Sequence, residues 1–130
     1  MTLHPETEKK LDGSGLAFEI GILEYLNERK PRDFETLSLL AELYTRAGRL
    51  AAGLKVDCAL VAMAPNNPIV HYNLACSHSL MKNIEESLDA LELSIRLGYD
   101  DAKHLDSDPD LGNVKHTDRF RSLLARITTN

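Results

Sequence analysis

Two consecutive stretches of equal length decide the fold: residues 34–67, FETLSLLAELYTRAGRLAAGLKVDCALVAMAPNN, and residues 68–101, PIVHYNLACSHSLMKNIEESLDALELSIRLGYDD. When the first stretch is laid over the second, their apolar positions coincide, and Leu40 falls on Leu74. A period in this range is typical of stacked helical units, each of which buries its apolar face only against a neighbour. The repeat therefore predicts an all-α architecture.

Apolar residues recur at three- and four-residue steps through most of the chain, which is the spacing of one helix face. Asp33 and Asp118 are the predicted N-caps of the second and the last helix, because a carboxylate accepts the free backbone N–H groups of a first turn. Short links between helices predict antiparallel hairpins. The predicted helices cover residues 16–29, 33–47, 50–63, 69–81, 84–97 and 119–127, with a short helical turn at 101–105.

The expected domain organisation follows from the positions of glycine and proline and from the end of the 34-residue period near residue 99. Residues 1–15 are predicted to be a flexible tail, and residues 16–130 to form a single domain whose hairpins share one core containing Leu40 and Leu74. Two repeats alone bury too little surface for stability, so flanking helices are expected to cap the stack. The predicted segments are a cap helix at 16–30, repeat one at 34–67, repeat two at 68–99 and a C-terminal cap segment at 100–130.

Composition excludes several classes of function. A net charge of −5 disfavours binding to nucleic acid, which needs clustered Lys and Arg. No apolar run approaches the roughly 18 residues of a membrane span, and the polar N-terminus has no targeting pattern, so a cytoplasmic protein is expected. Cys58 and Cys76 both lie in apolar helical patterns and are predicted to be reduced, packed thiols.

The first repeat resembles the tetratricopeptide repeat, which has a period of about 34 residues and a large–Leu–small–Tyr spacing in its first helix. The second copy departs from the family pattern at His71, His78, Lys82 and Tyr99. The segment with Asp108-Pro109 and Arg119-Phe120 is similar to the one that often ends a group of such repeats. The resemblance implies a right-handed superhelical stack of antiparallel hairpins. Its motif residues in the first copy are Leu37, Leu40, Ala41, Tyr44, Gly53 and Pro65.

The same resemblance implies a function, namely binding a peptide or protein partner in a short concave groove as a non-enzymatic adaptor or chaperone-like module. Tyr72 beside Ile69 is expected to be an exposed anchor for the partner. The mixed acidic and apolar lining predicts a ligand with Lys or Arg and aliphatic residues. The implied groove residues are Glu35, Ser38, Glu42 and Thr45 in the first repeat, and Ile69, Tyr72, Asn73, Cys76 and Ser79 in the second.

Two other readings stay open at this point. One is a homodimer that uses an apolar helix face, and the other is a small metal-binding or enzymatic bundle built around His71, Cys76 and His78. The preferred reading has no catalytic residues and no cofactor, because no nucleophile elbow or phosphate-binding loop is present. It has no metal, because helical spacing turns Cys76 away from the two histidines and the sequence places no fourth ligand. Asp106, Asp108 and Asp110 are expected to cap turns, since Leu111 and Thr117 stand where a calcium loop needs Gly and Glu.

Overall fold

The computed structural model describes the backbone of residues 5–128 and the side-chain surroundings of residues 15–128. This part of the chain is all-α, as predicted, and contains no strand. The helices are α1 (Pro5–Arg29), α2 (Phe34–Arg46), α3 (Leu50–Met63), α4 (Pro68–Leu80), α5 (Ile84–Arg96), α6 (Ala102–Ser107) and α7 (Asp118–Thr128), with a 3₁₀ turn at Pro109–Leu111.

The repeat is present in the backbone as well as in the sequence. The helices α2 and α4 begin and end at equivalent repeat positions, and each starts with a side-chain cap. A carboxylate oxygen of Asp33 accepts the backbone N–H of Thr36 at 3.1 Å, and the Asn67 side chain accepts that of Ile69 at 2.8 Å. The predicted Asp33 cap is confirmed.

A residue in the left-handed conformation follows each of these helices, two positions after the last helical residue. Gly48 has a φ of 76°, and Lys82, at the equivalent position of the second repeat, has a φ of 63°. Glycine adopts this conformation without steric cost, whereas a residue with a Cβ atom is strained there. The same backbone turn is therefore formed with less strain in the first repeat than in the second.

The chain divides into two compact units, Met1–Val56 and Asp57–Asn130, and the division falls within α3. In the first unit, α1 packs on α2 around a buried cluster that contains Ile20, Leu40 and Tyr44. The Tyr44 hydroxyl donates a 2.6 Å hydrogen bond to Glu24, which ties the two helices together. The start of α3 joins this cluster through partly buried apolar residues.

The predicted start of the first helix at Leu16 is wrong, because α1 begins at Pro5. Proline suits the first helical position, where its missing N–H has no intrahelical partner. Gly13 and Gly15 lower helix propensity by about 1 kcal/mol each but do not stop a helix. The predicted tail is thus helical over residues 5–15, and residues 1–4 lie outside the described residues.

In the second unit, α4 and α5 form an antiparallel hairpin that the C-terminal segment covers. Ser87 donates to the carbonyl of Ala75, and Ser94 donates to that of Pro68, both at 2.7 Å. The largest buried cluster belongs to this unit. Its fully buried aliphatic and aromatic members include Leu88, Leu91, Leu105, Leu111, Val114, Phe120 and Leu123.

Two finer expectations differ from the structure. Leu40 belongs to the cluster of the first unit and Leu74 packs against that of the second, so they do not share the one core that was predicted. The cap of α7 is Thr117, whose hydroxyl accepts the N–H of Phe120 at 3.1 Å, whereas Asp118 lies in the first turn. A carboxylate in the first turn complements the helix dipole, so acids are common there as well as at the cap. The predicted cap at Asp118 was therefore one residue too late.

Candidate functional site

Two helix faces carry the predicted groove residues. The α2 face is defined here as Glu35, Ser38, Glu42 and Thr45, and the α4 face as Ile69, Tyr72, Cys76 and Ser79, with Asn73 beside it. Each member of the α4 face stands at the same repeat position as a member of the α2 face. Because α2 and α4 have equal lengths and equivalent caps, the two faces can be compared position by position.

The α2 face is open. Glu35 and Glu42 are exposed, Ser38 and Thr45 are half-buried, and the Thr45 hydroxyl donates to the carbonyl of Ala41 at 3.0 Å. Neither carboxylate forms an ion pair with any of the residues the structure describes. The face therefore presents two uncompensated negative charges to solvent.

Sequence reasoning missed the apolar member of this face, Leu39. It lies four residues after Glu35 and three before Glu42, so a helix places it between the two carboxylates. The Leu39 side chain is 49% exposed, although leucine is among the residues most often buried. The sequence did contain a signal for the exposure of Leu39: it directly precedes the motif residue Leu40, and a helix turns adjacent residues to different faces. The α2 face can therefore offer a partner one aliphatic contact flanked by two acids.

The α4 face is closed over three of its four residues, which corrects the expectation that Tyr72 is an exposed anchor. Tyr72 is 4% exposed, and its hydroxyl donates a 2.6 Å hydrogen bond to Asp108. The Cys76 thiol lies 3.7 Å from the same carboxylate oxygen, and Asn113 donates to the carbonyl of Ser79 at 2.8 Å. Cys76 and Ser79 are buried as well, so three predicted groove residues are covered by the chain's own C-terminal segment.

The remaining members of the α4 face stay accessible. Ile69 is 52% exposed at the start of the helix, and Asn73, directly after the buried Tyr72, is exposed as well. These two residues alone form a small patch. The structure therefore leaves the α2 face as the larger of the two open surfaces.

Burial changes the chemistry of the covered residues. Burial and then the negative charge of Asp108 raise the pKa of the Cys76 thiol, and burial together with the hydrogen bond to Asp108 raises that of the Tyr72 hydroxyl. A thiol held protonated is a poor nucleophile. Cys58, in contrast, is exposed, so its predicted packing is wrong.

The structure does not bring His71, Cys76 and His78 together as metal ligands. The His71 Nε2 atom lies 2.7 Å from the carbonyl of Pro65, and the His78 Nδ1 atom is 3.2 Å from the side-chain amide of Asn83. Both imidazoles thus have partners within the local fold. In the part of the chain that the structure describes, the donor atoms that converge belong to Cys76, Asp108 and Asp110.

The predicted capping role of the acidic run is confirmed at Asp108. Its Oδ1 atom accepts the N–H of Asp110 at 2.9 Å at the start of the 3₁₀ turn. Asp106 is exposed and makes no such contact. In this run of acids, Asp108 is a cap and Asp106 is a solvated residue. Asp108 and Asp110 also lie close to Cys76, a contact that only the tertiary structure reveals.

A second buried carboxylate, Asp57, was not anticipated from the sequence. It is 3% exposed, its Oδ2 atom accepts a hydrogen bond from the Ser77 hydroxyl, and its Oδ1 atom has no partner in the part of the chain that the structure describes. Burial raises the pKa of Asp57 to about 6, and the hydrogen bond from Ser77 opposes the rise. Ser77 is thereby engaged in a structural contact.

An exposed apolar stripe runs along α1. Phe18, Ile22 and Tyr25 are 70%, 45% and 55% exposed, and their spacing of four and three residues puts them on one face of the helix. Arg29 extends the stripe, since its guanidinium lies over the Tyr25 ring and donates to the Tyr25 hydroxyl at 3.0 Å. A contiguous stripe of this kind is typical of a surface that contacts another protein.

Comparison with known proteins identifies a distant likeness. No family model matches the chain, and no solved structure matches it. A protein of Arabidopsis thaliana whose name describes it as chloroplastic is 38% identical over 113 residues, which are 84% of this chain and 34% of that protein. The chain thus spans about a third of the length of the relative it matches. None of the described helices is long and apolar enough to span a membrane.

Proposed function

We propose that the chain is a non-enzymatic protein–protein interaction module of the tetratricopeptide type, which binds a peptide segment of another protein on its α2 face. The equivalence of the two hairpins supports the repeat assignment. A Cβ atom on Gly53 would lie 3.6 Å from the carbonyl of Ala41, and at the equivalent positions of the second repeat Ser87 donates to the carbonyl of Ala75. The same pair of repeat positions is in contact in both copies, as expected for one repeated hairpin.

The observation that carries the proposal is the open α2 face. Two exposed carboxylates, Glu35 and Glu42, flank the half-exposed Leu39, whereas the equivalent side chains of α4 are covered in part. Acidic groups around an aliphatic contact favour a partner with the opposite charge and its own aliphatic residue. The proposed ligand is a peptide in which Lys or Arg residues lie on either side of Leu, Ile or Val.

The affinity of such a contact is expected to be weak. A single hairpin face offers few anchors, and partners of this size dissociate with constants of about 1 µM, or roughly −8 kcal/mol. Salt should weaken the complex further, because the charged groups lie at the surface and are screened.

A second candidate function, homodimerisation, is favoured by the α1 stripe. The exposed parts of Phe18, Ile22, Tyr25 and Leu26 amount to roughly 400–500 Å² on each copy, if an aromatic side chain offers about 150–250 Å². Two copies would bury about 800–1,000 Å², which only just reaches the lower limit for a specific interface. Such a dimer would be weak and would dissociate on dilution.

The compartment is part of the proposal as well. A cytoplasmic location was predicted from the sequence, and a relative named as chloroplastic gives that prediction no support. The interaction function does not depend on the compartment, because the α2 face needs only an aqueous environment.

A charge-reversal experiment tests the α2 face. Fluorescence anisotropy with labelled peptides that place Arg on either side of Leu should show binding by the wild-type protein and at least a roughly 10-fold loss in a Glu35→Lys, Glu42→Lys variant. The matched control is Glu28→Lys, Glu86→Lys, which makes the same change in net charge at two other exposed glutamates. An equal loss of affinity in both variants would show that net charge alone causes the effect. Equal affinity of all three proteins would refute peptide binding on the α2 face.

Light scattering over a dilution series tests the dimer separately. The homodimer predicts a mass that falls towards that of the monomer on dilution, and a Phe18→Glu, Tyr25→Glu variant that is monomeric throughout. A wild-type protein that is monomeric at every concentration would remove this alternative and leave the α2 face untouched.

A further inference from the structure

Three side chains that can carry negative charge converge where the C-terminal segment covers α4. The Cys76 thiol and carboxylate oxygens of Asp108 and Asp110 all lie within 4.8 Å of one another. Cys76 and Asp108 are buried, and Asp110 is half-buried. A fourth donor stands beside them, since the His104 Nε2 atom is 3.4 Å from the Oδ2 atom of Asp108.

The distances around Asp108 are those of a tetrahedral metal site. With metal–sulfur bonds of about 2.3 Å and metal–oxygen or metal–nitrogen bonds of about 2.1 Å, neighbouring ligand atoms are about 3.6 Å apart for S and O and about 3.4 Å for N and O. The separations from Asp108 Oδ2 are 3.7 Å to Cys76 Sγ and 3.4 Å to His104 Nε2. Both separations suit neighbouring ligands of one ion. His104 lies outside the set of donor atoms within 4.8 Å of one another, so its exposed ring must turn towards Cys76 and Asp110 on binding.

Little positive charge lies beside these three side chains, which suits a site for a cation. His104 is the one basic side chain within ion-pair distance of these groups among the described residues.

An independent feature points to the same place. Tyr99 is 8% exposed, and its hydroxyl has no hydrogen-bond partner among the described residues. Its ring stacks on that of Tyr72, with the ring centroids 4.5 Å apart and the planes inclined by 13°. The Tyr72 hydroxyl in turn donates to Asp108. A buried hydroxyl with unused hydrogen-bonding capacity thus lies on the ring that stacks against the one bonded to the cluster.

Neighbouring hydrogen-bond donors already hold the Asp108 carboxylate in place. Asp108 Oδ2 accepts a hydrogen bond from the Tyr72 hydroxyl at 2.6 Å, and Oδ1 accepts one from the N–H of Asp110 at 2.9 Å. Donors of this kind orient a ligating carboxylate and leave a second lone pair for the metal. The His104 side chain is 56% exposed, so an ion can enter from that side.

We propose that Cys76, Asp108 and Asp110, with His104 as the fourth ligand, bind one borderline-soft divalent cation of the Zn²⁺ type. The mixed sulfur, oxygen and nitrogen donors favour Zn²⁺ over Ca²⁺ or Mg²⁺, which prefer oxygen alone. On binding, the Cys76 thiol releases its proton to solvent and the thiolate ligates the ion. The ion would join α4 to the C-terminal segment, and this role is independent of peptide binding on the α2 face.

Cadmium titration of the reduced 130-residue chain tests the site, because a cadmium–thiolate bond has its own ultraviolet charge-transfer absorption. The wild-type protein and a Cys58→Ser variant are expected to develop this band with one equivalent of Cd²⁺. A Cys76→Ser variant is expected to lack the band, and addition of Zn²⁺ is expected to bleach it by displacement. Cys58 is the matched control, since it is the other cysteine and is exposed.

Two further variants do not depend on the thiol. His104→Ala changes an exposed side chain and Asp110→Asn a half-buried one, and each is expected to weaken Zn²⁺ binding roughly 10-fold or more in a competition titration. Absence of the band in the wild-type protein overturns the proposal, and so does its persistence in Cys76→Ser. Unchanged zinc affinity in both His104→Ala and Asp110→Asn would also overturn the ligand set.

Discussion

The α2 face and the α4 face occupy equivalent positions on two helices of equal length, yet the first is open and most of the second is covered. At the repeat position of Ser38 stands Tyr72, and at that of Glu42 stands Cys76. In the first repeat these positions carry small or charged side chains that suit water. In the second they carry an aromatic ring and a thiol, which gain free energy when a segment covers them. A repeat position thus fixes where a side chain points but not what it meets.

The largest expected effect comes from removing the cover of the second unit. Phe120→Ala should lower the free energy of unfolding by about 3–5 kcal/mol, because the ring is 2% exposed and its loss leaves a cavity. Phe18→Ala is the control, since the same ring on the α1 stripe is 70% exposed and its loss should cost less than about 0.5 kcal/mol. Denaturant unfolding followed by circular dichroism measures both, and equal costs would break the contrast.

The two repeats also differ at a buried position, which is Asp57 in the first repeat and Leu91 in the second. Only Asp57 can titrate, so a pH experiment tests this difference. Because the folded pKa of Asp57 is about 6, above its ordinary value of 3.8, the native state holds its proton more tightly. The contribution of this group to stability is therefore fully present below about pH 4 and is lost as the pH rises towards about 6, by about 2–3 kcal/mol.

The Asp57→Asn variant isolates this effect. The amide can still accept the hydrogen bond from Ser77 but has no charge to bury, so the variant should be more stable than the wild-type protein at neutral pH and about equally stable near pH 4. Denaturant titrations across this range give the difference between the two proteins. A difference that is constant with pH would show that Asp57 titrates normally.

The contact that closes the α4 face can be removed at one residue. Asp108→Ala leaves the Tyr72 hydroxyl and the N–H of Asp110 without partners, which should cost about 1–3 kcal/mol in metal-free buffer. The exposed Asp106→Ala is the matched control and should change stability by less than about 0.5 kcal/mol. A faster reaction of Cys76 with a thiol reagent in the first variant alone would show that the face has opened.

The smallest effect is expected where the two repeats form the same left-handed turn with different residues. Gly48→Ala should destabilise by about 1 kcal/mol, because a Cβ atom is strained at a φ of 76°. Lys82→Gly relieves that strain at a φ of 63° and should stabilise by a few tenths of a kcal/mol. Thermal unfolding of both variants is the measurement, and shifts in the same direction would contradict the equivalence of the two turns.

Much of the secondary structure was predictable because its signals are local. Asp33 caps α2, Gly48 ends it, and α3 begins at Leu50 and ends at Met63 as predicted. Each signal depends on side chains within about four residues of the helix end, where the backbone itself needs partners. The helical residues before Leu16 were missed, since glycine weakens a helix without ending it.

The candidate sites were less predictable because their partners are distant in the chain. Tyr72 looked like an exposed anchor, and the carboxylate that buries its hydroxyl is 36 residues away. The convergence of Cys76 with Asp108 and Asp110 has the same origin. No local pattern specifies which later segment returns to cover a given face.

By itself the sequence determined that the described part of this protein is helical, that α4 repeats the length of α2, and where most of its helices begin and end. Only the tertiary structure decided that the α4 face is covered and the α2 face is open. The physical reason is that helices and caps are satisfied by neighbours along the chain, whereas burial depends on which apolar surfaces meet after the chain has folded back on itself.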